Sequence, residues 1–163
     1  MADFIVSFFG DSFLGHILAT FFISMVPILE LRGALPIGVR LGLDPLVSLG
    51  VSFLGNIVPV PFIIIFIRRI FGWLRGKSSF LEKVVKKLED KATKNSDMVH
   101  KYELFGLYIL VAIPLPGTGA WTGALVAALL DMQLKRAFPP IALGVLTAGI
   151  IVLLITYGVT AII

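Results

Sequence analysis

The three longest stretches of this chain without a charged side chain are Pro45–Ile67, Leu104–Leu130 and Ala137–Ile163. A helix rises about 1.5 Å per residue, so crossing a hydrocarbon core of about 30 Å takes about 20 apolar residues. Pro45–Ile67 and Ala137–Ile163 reach that length without interruption. Of the 163 residues, 58% are hydrophobic and 15% are charged, against about 25% charged in soluble domains. The mean hydropathy is +1.00. A water-soluble domain of this size cannot bury so much apolar surface. The sequence therefore predicts an all-α integral membrane protein.

Leu104–Leu130 is long enough to span, but its middle reads "IPLPGTGAWTG". Prolines and glycines at that density do not fit inside one straight helix. Each flank, as a helix, covers about half a bilayer. This pattern predicts a re-entrant hairpin over residues 104–130. The opening region has the same plan over 12–43, where "PILELRG" interrupts two apolar arms. A transmembrane helix follows each hairpin, over 45–71 and 137–161. With an offset of 87, Pro27 falls on Pro114 and Asp44 on Asp131. Asp44-Pro45 suits an N-cap followed by proline at the first helical position. Pro59 and Pro61 are expected to kink the first span.

The charge is concentrated between the two halves. Of the 14 Lys and Arg, 10 lie from Arg68 to Lys101. One basic block beside apolar spans follows the positive-inside rule and attracts anionic lipid, so nucleic acid is not the expected partner. Within the block, Leu81, Val84, Val85 and Leu88 recur at helical spacing, and Ser79-x-x-Glu82 resembles a capping box. The expectation is a cytoplasmic amphipathic helix over 78–100. With that block cytoplasmic, the first span runs inward and the second outward. The hairpins then enter from opposite faces of a cell membrane, as an inverted repeat. Inverted repeats with broken helices recur among secondary transporters. Thiol and disulfide chemistry is excluded, because there is no cysteine. The N-terminal "MADFIVSFFGDSF" lacks the basic start of a signal peptide.

"PILELRGALPIGVRLGL" followed by "IPLPGTGAWTG" resembles the small multi-drug export protein family, a distant relation of the DedA (VTT-domain) membrane proteins. The resemblance covers nearly the whole chain and implies two re-entrant hairpins with transport activity. The wider DedA relatives imply proton-linked transport, and some imply return of polyprenyl-phosphate lipid carriers. Their acidic pattern in the first hairpin is matched by Glu30 and, further on, Asp44. Their second-hairpin arginines have no counterpart in "IPLPGTGAWTG"; here Arg32 and Arg40 stand in the first hairpin.

The residues themselves point to a charged site. Glu30 and Arg32 fall in the first interruption, and ionisable groups at membrane depth face a protein interior or a wet cavity. At i and i+2 they do not face each other on a regular helix, but a broken segment can pair them. The site reading is a substrate and proton site; the alternative is an ion pair that holds the hairpin tip. Arg40 and Asp44 either line the same cavity or snorkel at the outer interface. Gly117, Thr118 and Gly119 sit where a second arm offers free backbone N–H groups to an anion. Trp121 either stacks on a ligand or packs. The GxGxxxG spacing with no preceding strand is not a nucleotide loop. His16 and His100 lack metal-ligand spacing, and no catalytic signature is present. Neither an enzyme nor a cofactor is expected.

These features predict a proton-coupled secondary transporter of an anionic amphiphile such as a polyprenyl phosphate. A proton-coupled multidrug exporter and a non-transporting membrane scaffold are the alternatives. Gly38-x-x-x-Gly42 and Gly119-x-x-x-Gly123 permit close helix contact, which makes a homodimer the expected assembly.

Overall fold

A computed structural model describes residues 2–10, 12–75, 96–115 and 117–158, and every regular element among them is a helix. In chain order these are α1 (Ala2–Phe9), α2 (Phe13–Met25), α3 (Glu30–Arg40), α4 (Pro45–Ile57), α5 (Pro59–Arg75), α6 (Ser96–Ala112), α7 (Ala120–Leu129) and α8 (Leu134–Gly158). The amphipathic helix expected over 78–100 lies outside the described residues, except for its last few, which open α6. The last residues of the span expected over 137–161 also lie outside them.

Local chemistry sets the boundaries. The Ser12 hydroxyl accepts the Gly15 N–H at 3.0 Å and caps α2. α2 stops at Met25 because the residue before a proline avoids the helical region; Val26, preceding Pro27, is extended with φ −74° and ψ 128°. Asp44 caps α4 through the N–H groups of Leu46 and Val47, at 2.8 and 3.4 Å, with Pro45 next in line. Where a kink is expected, one residue, Val58, separates α4 from α5; its backbone stays helical and its N–H still donates to the Leu54 carbonyl. Pro59 and Pro61 have no N–H to give, so the carbonyls four residues earlier lose their helical partners. α1 was not expected. It packs on α2, where Phe9 and Phe22 stack with ring centroids 5.3 Å apart.

The chain doubles back twice. Gly38 of α3 lies against Thr20 of α2, and Gly123 of α7 against Val111 and Leu107 of α6. Each short pair is followed by a helix long and apolar enough to cross a membrane: Pro45–Ile67 across the interruption, and Leu134–Gly158. The core joins both halves, with Leu31 and Leu35 from α3 meeting Val60 and Ile64 of α5, Val111 of α6, Ala124 of α7 and Ile141 of α8. Outside it, Phe62, Phe66, Leu143, Leu154 and Ile155 stand exposed on the two long helices. An apolar shell around a closely packed core suits a molecule solvated by lipid rather than by water.

Candidate functional site

The two interruptions meet. Arg32 reaches from the first turn of α3 to the end of α6. Its Nη2 donates to the Ile113 carbonyl at 3.1 Å, the Thr118 hydroxyl at 3.0 Å and more weakly the Val111 carbonyl at 3.5 Å, while Nη1 donates to the Leu115 carbonyl. Thr118 Oγ1 donates in turn to the Ile113 or Leu115 carbonyl, at 2.7 and 2.8 Å. A helix end leaves carbonyls without partners and carries partial negative charge, so a guanidinium with five donors satisfies both needs there.

Glu30 goes to the opposite end of the same break. Its Oε1 accepts the Trp121 N–H at 3.1 Å, and the carboxylate also takes the Ala120 N–H. These are the first N–H groups of α7, where the helix carries partial positive charge. The carboxylate is buried, with 5% of the residue exposed. The Glu30 backbone is left-handed, φ +48°, which is unusual for a residue with a side chain and is held here by the surrounding contacts. Gly119 makes the approach possible: its φ is +136°, and a Cβ there would collide with the Glu30 carboxylate. The Trp121 indole N–H donates to the Met25 carbonyl at 3.1 Å, which ties α7 to the end of α2.

Glu30 and Arg32 attract each other through space, but their hydrogen bonds go to opposite ends of the α6–α7 break. Each charge meets the helix end of opposite sign. An anion was expected at Gly117, Thr118 and Gly119, but the free N–H groups that open the second arm already hold the Glu30 carboxylate.

Between the breaks lies a cleft of about 500 Å³ that Glu30, Arg32, Gly117 and Thr118 line together with Pro27, Ile28 and Leu115. Gly119 and Trp121 stand behind it as supports. Arg40 and Asp44 are elsewhere. Arg40 is exposed on a separate groove that α1 borders with Asp3, Val6 and Ser7. Asp44 is exposed and caps α4. Sequence reasoning missed Asn56 as a site residue. It is 2% exposed, its amide oxygen is unpartnered, and it borders a small cavity against Glu30 and Gly119. The signal was the recurrence of Ser48, Ser52 and Asn56 every fourth residue in an otherwise apolar span.

An all-helical membrane protein with a buried Glu30 and a half-buried Arg32 where two chain breaks meet defines the class. A family model described as "Putative small multi-drug export protein" matches residues 30–151, three-quarters of the chain, with Glu30, Arg32 and the break between α6 and α7 inside the match. The chain belongs to that family. No curated protein and no solved structure matches it.

Proposed function

We propose that the protein is a proton-coupled exporter of cationic amphiphiles, in which cargo and proton compete for Glu30. One observation carries this reading. The Arg32 guanidinium is turned into the carbonyls at the end of α6, which leaves Glu30 as the acidic side chain on the cleft. One carboxylate can neutralise a proton or an organic cation, so binding of either expels the other. Proline, leucine and isoleucine side chains on the cleft suit the apolar body of an amphiphile. A polyprenyl phosphate is the rival cargo, and it requires Arg32 to leave its carbonyls.

In this reading α2–α3 and α6–α7 are re-entrant hairpins entering from opposite faces of the plasma membrane. Each forms half of an inverted repeat with the long span that follows it. The doubling back at Gly38 and Gly123 supports this, as does the brevity of α2, α3 and α7, at 13, 11 and 10 residues. The basic block from Arg68 to Lys101 is cytoplasmic by the positive-inside rule, so the Asp44 end of α4 faces outward. The reading involves lipid and cargo as partners, and no enzymatic step, cofactor or nucleic acid.

The test is transport in vesicles under an imposed pH gradient, with tetraphenylphosphonium and a fluorescent polyprenyl phosphate assayed in parallel. Gradient-driven movement of the cation, abolished by Glu30→Gln and surviving Arg32→Gln, is the expected result. Movement of the lipid phosphate alone, lost with Arg32→Gln, selects the anionic cargo instead. Movement of neither supports the scaffold.

A further inference from the structure

The groove beside Arg40 lies apart from the two breaks. Its volume is about 670 Å³, within the roughly 300–1,000 Å³ of small-ligand sites. Asp3, Val6 and Ser7 of α1 line one side, and Ile37, Arg40 and Leu41 at the end of α3 line the other. α1 divides its surface in three: Phe4 and Phe8 are exposed, Phe9 stacks on Phe22 of α2, and Asp3 and Ser7 border the groove. Four residues apart, Asp3 and Ser7 share one face of the helix. The surrounding helix ends set the depth of the groove in a membrane. α2 begins at Phe13, α3 ends at Arg40 and α4 begins at Pro45, and Gly38 beside Thr20 and Ser48 draws these ends together. Phe4, Phe8 and Phe13 offer apolar surface at the same end, next to exposed charges. That combination belongs where lipid headgroups join their chains.

We infer that this groove binds a phospholipid with a zwitterionic, primary-amine headgroup, its phosphate on Arg40 and its ammonium on Asp3 and Ser7. The two wall charges are opposite in sign and both exposed, and among the described residues Asp3 and Arg40 form no ion pair with each other. A ligand that carries both signs on one short headgroup satisfies the two at once. The guanidinium fork matches a phosphate through parallel N–H donors. Ser7 Oγ gives its proton to the Phe4 carbonyl at 2.9 Å, so toward a ligand its oxygen is an acceptor. An ammonium has three N–H donors for that oxygen and the Asp3 carboxylate; a trimethylammonium has none. A headgroup with net negative charge would set Asp3 against a like charge, which works against it. Val6, Ile37 and Leu41 then receive the start of an acyl chain, and the bound lipid joins α1 to α3. The site is distinct from the Glu30 cleft, and the inference stands whichever cargo that cleft carries.

The test is native mass spectrometry of the full chain in detergent, titrated with dioleoyl phosphatidylethanolamine, phosphatidylcholine or phosphatidylglycerol. Identical acyl chains leave the headgroup as the variable. The ethanolamine lipid is expected to bind about tenfold more tightly than the choline lipid, the worth of roughly one charge-assisted hydrogen bond. Arg40→Gln is expected to weaken its binding by about tenfold or more. Asp3→Ala is expected to remove the preference for ethanolamine over choline while leaving choline binding unchanged. Lys135→Gln, an exposed charge outside the groove, is expected to change neither. Both groove side chains are exposed, so their loss leaves the packed core intact. Equal binding of the three lipids, or a preference that survives both Arg40→Gln and Asp3→Ala, overturns the inference. So does an equal loss in Lys135→Gln, which marks general charge attraction. Tightest binding of the glycerol lipid, lost with Arg40→Gln, overturns the zwitterionic headgroup in favour of a plain anion.

Discussion

The Glu30 carboxylate accepts the Trp121 N–H at 3.1 Å across 91 residues of sequence. That bond fastens the break after α2 to the start of α7. Arg32, two residues along, fastens the same break to the end of α6. The helix interrupted between α6 and α7 is thus closed electrically by two side chains of α3.

Gly119 is the position where this closure tolerates least. Its φ of +136° suits glycine alone, and a Cβ would strike the Glu30 carboxylate. Gly119→Ala should therefore cost roughly 2–4 kcal/mol, from backbone strain and overpacking together. Gly117, with φ +83° and open space around it, should cost only about 1 kcal/mol on the same change. Thermal midpoints in detergent give the comparison; equal losses would contradict the geometry.

Arg32→Lys should destabilise despite keeping the charge, because an ammonium cannot match a planar fork shared among several carbonyls and a hydroxyl. A loss of about 1–3 kcal/mol is expected. Thr118→Val removes the hydroxyl that accepts from Arg32. The two changes should be non-additive in a double-mutant cycle, with a coupling of at least about 0.5 kcal/mol. A coupling of zero would place Arg32 elsewhere.

Two glycines in the α2–α3–α4 contact differ in what opposes them. A Cβ on Gly38 meets side-chain atoms of Ser48 and Thr20, whereas one on Gly55 meets the Phe21 backbone as well as Ser24 Oγ. Both alanine variants should lose roughly 1–3 kcal/mol. Ser48→Ala should partly rescue Gly38→Ala, while Ser24→Ala should rescue Gly55→Ala far less, because backbone cannot be trimmed. Thermal unfolding of the four single and two double variants reads this directly.

The chain has no native cysteine, so single cysteines can report orientation. A cysteine at Leu46, exposed at the start of α4, should react with an impermeant reagent from outside. One at Lys135, exposed at the start of α8, should react only from the cytoplasm. A cysteine at Thr118, at the break, should be slow from either side. Reaction of both end sites from one face would remove the inverted arrangement.

Length and charge made the helical spans legible, and proline–glycine density located both breaks. Asp44-Pro45 was legible as a cap because capping is a local act. Glu30 and Arg32 stood out because charge is costly at that depth. Their partners were not legible: the groups they bond are mainly backbone atoms about 80–90 residues away, and backbone carries no letter in the sequence. Local spacing suggested pairing within the break, but helix ends supply stronger partners. Arg40 lies on the same helix as Glu30, α3, yet borders a groove with α1, a helix the hydropathy pattern did not reveal. Asn56 escaped as a site residue because Ser48, Ser52 and Asn56 are uncharged and do not break the apolar run of the span.

The central claim is that one carboxylate, Glu30, exchanges a proton for a cation. Proton release can be measured directly by titrating tetraphenylphosphonium into the purified protein in weakly buffered detergent solution. The account predicts about one proton released for each cation bound by the wild-type protein, and none from a folded Glu30→Gln variant. Equal release from both, or cation binding that displaces no proton and survives Glu30→Gln, would contradict it.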